Sequence, residues 1–157
     1  MKSYEDIYSK FFDLSKIKSE DKKEFMRTKL KDFPVAGAVL LHIFTFGIFS
    51  LIYYGIVHSK FPKIKQNDFS AGKAIGFMFI PIFNLYWQFV FWLRLVDRIN
   101  LQFKLRNIKH EVPKSLILTN RILGVIPYIN LLTLPILSPI CIGVIQSGIN
   151  KIVHSRE

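Results

Sequence analysis

Three long apolar blocks, separated by charged segments, dominate the pattern of this chain. They cover residues 35–57, 74–93 and 122–145, and none contains Asp, Glu, Lys or Arg. Each exceeds the roughly 18 apolar residues that can form a membrane-spanning helix. A soluble amphipathic helix would place polar residues every three or four positions, and these blocks do not. The pattern therefore predicts an all-α integral membrane protein whose membrane domain covers residues 34–157.

Residues that end or bend helices interrupt each block. The predicted helix breaks are Gly47, Pro81, Pro127, Pro135 and Pro139. Proline removes a backbone donor and clashes with the preceding turn, and glycine favours turns. At about 1.5 Å per residue, half a block is too short to cross a hydrocarbon core of about 30 Å. The blocks therefore predict either re-entrant helical hairpins or three kinked spanning helices.

All 22 Lys and Arg residues lie outside the blocks, and the formal net charge is +11. Re-entrant hairpins would leave every basic residue on the cytoplasmic face, whereas three spans would divide them, with 1–34 and 94–121 on the more basic face. Basic side chains that border apolar blocks favour anionic lipid headgroups, at about 1 kcal/mol each. The predicted headgroup ligands are Lys60, Lys63, Lys65, Arg94, Arg98, Lys104 and Arg106.

Residues 1–33 are predicted to form amphipathic surface helices. Their apolar side chains recur on one helical face, as in Tyr4, Ile7, Phe11 and Leu14. This segment has no apolar h-region, so a cleaved signal peptide is not expected. The helices are expected to lie on the bilayer, to cap the membrane domain or to remain solvated.

Composition excludes a disordered protein and a disulfide scaffold, and the lack of motifs argues against a nucleic-acid-binding protein. An apolar content of 50% excludes disorder, and a single cysteine, Cys141, excludes a disulfide scaffold. We expect Cys141 to be a packing residue. A pI near 9.8 would suit nucleic acid, but no helix-turn-helix, zinc or aromatic-basic RNA motif is present, so nucleic acid is not expected as a partner.

Polar residues inside the blocks are the candidate functional residues. Three pairs are spaced to share a helical face: His42 with Thr45, Asn84 with Gln88, and Asn130 with Thr133. Polar side chains at membrane depth either hydrogen-bond across helices or line a wet pathway. The pairs therefore predict either packing contacts or the lining of a pore.

Catalytic chemistry is not predicted. No block contains a carboxylate, and the four His residues share no ligand spacing, so neither a metal nor another cofactor is expected. Ser50 and His58 would be about 12 Å apart along one helix, too far to form a dyad. The sequence therefore favours a non-enzymatic protein.

Two short matches suggest an internal repeat. The stretch IPIFNL at 80–85 is similar to IPYINL at 126–131, and the dipeptide at 99–100 corresponds to that at 149–150. Repeats in membrane proteins often build a site at their interface. Chance similarity among so many Ile and Leu residues is the alternative.

Two motifs carry a resemblance to a known group of proteins. TFGIF at 45–49, followed by Tyr53, is similar to a T-L-G-I-Y…W motif, and IPIFNLYW at 80–87 is similar to an I-P-x-x-N-L-Y-W motif. Together they resemble small uncharacterised bacterial membrane proteins, a domain-of-unknown-function family, over roughly residues 34–105. Phe49 and Tyr53 depart from the first motif. The resemblance implies the bacterial inner membrane and no catalytic residues.

Two functional hypotheses stay open. The first is a non-enzymatic structural or membrane-shaping protein of the bacterial inner membrane that forms a homo-oligomer and binds anionic lipid, with its basic segments in the cytoplasm. The alternative is a pore-forming or membrane-permeabilising effector of the toxin or defence type. A small basic chain without clustered chemistry fits both.

Overall fold

The regular structure of residues 19–62 and 70–155, which the computed structural model describes, is helical. In chain order the helices are α1 (Ser19–Met26), α2 (Val35–Phe44), α3 (Ile48–Lys60), α4 (Ala71–Gly76), α5 (Pro81–Leu105), α6 (Lys114–Val125), α7 (Asn130–Leu132) and α8 (Ser138–His154). A 3₁₀ turn (Phe77–Phe79) follows α4, and a π-helical turn (Thr133–Leu137) joins α7 to α8. The predicted all-α class is confirmed for these residues. The amphipathic pattern predicted over residues 1–18 lies outside them.

The first apolar block folds into the hairpin of α2 and α3. Phe46 and Gly47 lie between the helices with φ of 49° and 86°, and this left-handed backbone reverses the chain. Across the turn, His42 Nδ1 lies 2.8 Å from Ser50 Oγ. With ten residues, α2 is about 15 Å long, roughly half of a hydrocarbon core.

The second and third blocks reverse at similar proline turns. Ile80 and Ile126, which each precede a proline, are extended, with ψ of 110° and 121°. The amide of Asn84 donates to the Ile80 carbonyl at 2.7 Å, and the amide of Asn130 donates to the Ile126 carbonyl at 3.1 Å. The two copies of the predicted repeat therefore share the extended residue before proline and this hydrogen bond, but they differ at the next positions: Ile82 lies within α5, whereas Tyr128 has φ of 67°.

Two predicted helix breaks do not separate helices. Pro135 lies in the π-helical turn and Pro139 in the first turn of α8, so helical backbone continues from Asn130 to His154. The prediction of breaks at these two prolines is wrong. Both prolines lie in or directly after the π turn, whose wider hydrogen-bond spacing accommodates proline within a helix.

Within residues 19–62 and 70–155, one helical segment is long and apolar enough to cross a membrane, judged by length and composition alone. This segment is Pro135–His154. Half of its most apolar stretch is buried inside the protein, and the core helix of a soluble protein can pass the same test. Three spanning helices, the alternative from sequence, would require two more such segments in the described part of the chain.

The core is built around α5 and α8. α2 packs on α8, α6 packs on α5, and α1 lies against α5. Buried aliphatic and aromatic side chains fill the space between these helices, among them Phe91, Leu95, Ile99, Ile145 and Ile149.

Two asparagines form hydrogen bonds to the backbone of residues just before α2 and α6. Asn100 on α5 accepts from the Val112 amide at 2.8 Å and donates to the Val112 carbonyl at 2.9 Å. Asn150 on α8 forms the same pair of hydrogen bonds with Phe33, at 3.4 and 2.8 Å. Each anchored residue precedes a proline, which has no amide of its own to donate. We call these two contacts the asparagine clamps.

Candidate membrane interface

The turn of the first hairpin and that of the second point the same way, because α3 and α5 run parallel. Trp92 of α5 lines a cleft with Cys141 of α8, and further along both helices Ile99 lies against Gly148, so α5 runs parallel to α8. α8 is antiparallel to α2, and α2 and α3 form a hairpin, so α3 runs in the same direction as α5. Both helices begin at their turns, so the two turns lie at one end of the bundle.

The third hairpin turns at that end as well. Asn150, near the end of α8, contacts Phe33 just before α2. His42, near the end of α2, lines a cavity with Leu131 and Pro135, which precede α8. The two helices are therefore antiparallel, and this places the turn of the third hairpin beside the turn of the first.

Exposed large apolar side chains cluster at this end and extend from it along the helices. In the described part of the chain they all fall within residues 40–56, 79–86 and 118–140, which we call the apolar end. Each hairpin presents one nearly fully exposed side chain at its turn: Phe46 is 94% exposed, Ile82 87% and Tyr128 84%. Apolar patches of this extent are rare on soluble monomers and indicate an interface with lipid or protein.

The opposite end carries most of the charge. α1 is joined there to α5 by two bonds, from Gln102 Nε2 to the Phe25 carbonyl (2.8 Å) and from Arg106 Nη2 to the Met26 carbonyl (2.6 Å). We call this the basic end; its cations are Lys22, Lys23, Arg27, Lys29, Lys31, Lys60, Lys104, Arg106, Lys109, Lys114 and Lys151.

Four predicted headgroup ligands keep some exposure. Lys104 is exposed, whereas Lys60, Arg94 and Arg106 are half-buried. Arg106 also holds α1 in place through its bond to Met26. Lys63 and Lys65 lie outside the described residues.

Arg98 is a correction to the predicted headgroup ligands. It is 1% exposed, and Nη1 donates to the carbonyl of His58 and contacts His58 Nδ1. A guanidinium in this position cannot contact a lipid headgroup. Its position in the sequence, beside apolar residues on a long helix, gave no sign that α3 would cover it.

Burial lowers the pKa of His58 well below its ordinary value of 6.5, and the charges of Arg98 and Arg94 lower it further. A hydrogen bond from His58 Nε2 to the Phe91 carbonyl (3.1 Å) opposes this shift. His58 is therefore neutral in the folded protein at pH 7, and its protonation favours the unfolded chain.

We expect the free energy of unfolding to be greatest above pH 6.5 and to fall as the pH is lowered from there. The unfolded chain then binds a proton that folded His58 does not, which costs up to about 1.4 kcal/mol per pH unit. Denaturant titrations in nonionic detergent between pH 7.5 and 5 would measure the slope. His58→Gln should reduce the slope, and His154→Gln, at the exposed end of α8, should not. An unchanged slope in His58→Gln would contradict the assignment.

The structure does not gather the three predicted polar pairs into one pathway. Thr45 Oγ1 donates to the Leu41 carbonyl (2.6 Å) and accepts from the Phe49 amide (3.0 Å), so it closes the first turn. Thr133 is buried, and its Oγ1 donates to the carbonyl of Asn130 (3.2 Å). Asn84 and Gln88 are half-buried on α5. Within residues 19–62 and 70–155, no hydrogen bond joins one pair to another.

The contact of His42 with Ser50 was missed from the sequence. Ser50 was considered with His58, but the turn at Gly47 brings it to His42 instead. His42 also lines a cavity of about 310 Å³ with Ile43 and Phe46 of its own hairpin. Ser50 is 0% exposed, so the pair joins α2 to α3 and offers no accessible nucleophile. A hairpin turn placed at Gly47 would have predicted this contact, because it brings the residues on either side of the turn together.

Metal ligation has no support in the described ranges, where no three His, Cys, Asp or Glu side chains come together. Cys141 is buried and is not in a disulfide. The chain matches no protein-family model, no curated protein and no solved structure at a significant level.

Proposed function

We propose that this protein is a non-enzymatic integral membrane protein that inserts its three hairpin turns into one leaflet and shapes the bilayer. The observation that carries the proposal is the separation of exposed apolar side chains and charges to opposite ends of the bundle. The apolar end would lie among acyl chains, and the basic end among anionic headgroups. Its place would be the bacterial inner membrane, with the basic end cytoplasmic.

The length of the first hairpin favours re-entry over crossing. α2 is about 15 Å long, which matches one leaflet of a hydrocarbon core of about 30 Å. A hairpin of this depth displaces acyl chains on one side only. Wedging of one leaflet is therefore the mechanical effect that we propose.

The backbone of the first turn is compatible with lipid. Lipid offers no hydrogen bonds, so amides at membrane depth need partners inside the protein. In the first turn the amides of Thr45, Phe46 and Gly47 donate to Leu41, Ile43 and His42 carbonyls, at 3.1, 3.1 and 2.8 Å. This internal bonding lowers the cost of placing the turn in the bilayer.

Cysteine labelling tests the proposal. In a Cys141→Ser background, single cysteines replace Ser59, Glu111 and Ser155, all exposed near the basic end. We expect a membrane-impermeant thiol reagent to reach all three from the cytoplasmic side of inverted vesicles and none from intact spheroplasts. Phe46→Cys serves as the control, because it should stay unlabelled in both.

Labelling of Ser59→Cys and Ser155→Cys from outside, with Glu111→Cys protected, would contradict re-entry. The blocks would then span the bilayer, and the pore hypothesis would become the better explanation. Formation of a homo-oligomer remains part of the proposal, because neighbouring copies would cover further parts of the apolar end.

A further inference from the structure

A small cleft between α5, α6 and α8 contains the single charged residue of the apolar end. Arg121 is the one Lys, Arg, Asp or Glu within residues 40–56, 79–86 and 118–140. The cleft has a volume of about 10 Å³, which is room for one water-sized atom. Its lining includes Trp92, Ile117, Asn120, Arg121 and Cys141.

Two residues that line this cleft have buried hydrogen-bond donors without acceptors. Asn120 is 1% exposed; its Oδ1 accepts from Ser138 Oγ at 3.2 Å, and its Nδ2 has no partner. Arg121 Nη2 lies 3.3 Å from the same Ser138 oxygen, and its Nε is buried without a partner. A buried donor without an acceptor costs about 1–3 kcal/mol, and more where the group is charged. The cleft is therefore built to receive an acceptor.

The charge of Arg121 is also uncompensated among the described side chains. Its guanidinium lies 5.4 Å from the centre of the Trp92 ring, which offers a cation–π contact but no negative charge. The carboxylate of Asp97, further along α5, pairs with Lys114 at 2.7 Å. Burial lowers the pKa of Arg121, which shows that its surroundings disfavour the cation, although a guanidinium stays protonated at neutral pH.

We propose that Asn120 and Arg121 bind one oxygen of a phosphate group, with Ser138 holding the two side chains in place. The oxygen would enter the cleft, and the rest of the phosphate would lie at its mouth beside half-buried Arg121. A water molecule fits less well, because it brings two hydrogens and the unpaired atoms of the cleft are both donors. An unprotonated phosphate oxygen accepts without donating, and its charge neutralises the cation.

The phosphate could belong to a lipid headgroup or be free inorganic phosphate. Only the lipid source rests on the proposed function. Arg121 lies seven residues, about 10 Å, beyond Lys114 of the basic end. A lipid phosphate bound there would be drawn into the leaflet, which would add to the wedging effect.

Calorimetric titration of the full chain in nonionic detergent tests the site with two probes, short-chain phosphatidylglycerol and inorganic phosphate. We expect Arg121→Gln to weaken binding of the probe by about tenfold or more. Asn120→Asp should do the same, because a carboxylate of nearly the same shape would pair with Arg121 and repel the anion. Lys73→Gln, which removes one exposed charge on α4, outside the cleft and the basic end, is the matched control and should change affinity less than about threefold.

The outcomes separate the two sources. Binding of the lipid that inorganic phosphate does not displace assigns the site to a headgroup, and equal binding of inorganic phosphate assigns it to the free ion. Equal affinity of the wild type and both site variants, or no binding by a wild type of full helicity, would overturn the site. The titration needs no bilayer, so failure of membrane insertion would be seen separately, in the labelling experiment.

Discussion

Asp in place of Phe46, Ile82 or Tyr128 is expected to lower partitioning into neutral vesicles by about 100-fold for each substitution. These are the most exposed large apolar side chains at the three turns. A carboxylate at the centre of a bilayer costs about 2.5–3.5 kcal/mol, and about 2.7 kcal/mol corresponds to a factor of 100. Flotation with phosphatidylcholine vesicles would measure the effect without attraction between the basic end and anionic lipid.

The fold should survive these substitutions, which makes loss of partitioning informative. Phe46 and Tyr128 adopt left-handed backbone, with φ of 49° and 67°, a conformation that Asp tolerates better than most residues. Asn107 offers a matched control: it is exposed at the basic end, and its φ of 54° is similar. Asn107→Asp should therefore partition like the wild type.

The pattern among the variants distinguishes insertion from adsorption. If all three turns enter the leaflet, the three single variants lose partitioning to a similar degree. Loss in only one variant would restrict the membrane contact to one hairpin. Unchanged partitioning in all three, with helicity retained, would contradict the proposed interface.

Local chemistry made the turns predictable. Gly47, Pro81 and Pro127 act on their own backbone, through left-handed φ or through the missing amide of proline, whatever the rest of the chain does. Pro135 failed the same rule because the surrounding π turn accommodates it. Which end of the bundle carries the exposed apolar side chains depends on how helices pair, and the block pattern alone did not give that pairing.

Residues whose role depends on a distant partner were harder to predict. Arg98 looked like other basic residues, and only the packing of α3 on α5 buries it against His58. His42 and Ser50 meet because of one hairpin register. Asn100 and Asn150 belong to the suggested repeat, but the residues that they clamp lie 12 and 117 positions away in the chain.

The asparagine clamps yield the second large effect, which is on stability. Asn100→Asp keeps the acceptor for the Val112 amide but replaces the donor to the Val112 carbonyl by a negative oxygen. We expect a loss of about 3 kcal/mol, from one missing hydrogen bond and the repulsion between two acceptors. Thermal unfolding followed by circular dichroism in detergent would measure it, with Asn107→Asp as the control of equal charge change.

Asn150→Asp should cost less, about 1–2 kcal/mol, although the clamp itself is the same. At this site Gln146 Nε2 also donates to the Phe33 carbonyl (3.3 Å) and to Asn150 Oδ1 (2.7 Å). The Phe33 carbonyl therefore keeps one donor after the substitution, whereas the Val112 carbonyl has no such second bond from a described side chain. The double variant Asn150→Asp, Gln146→Leu removes this donor as well. Its loss of unfolding free energy should equal or exceed that of Asn100→Asp. Equal costs for the two single variants would show that Gln146 does not support the entry of α2, and that the two clamps are energetically as well as geometrically equivalent.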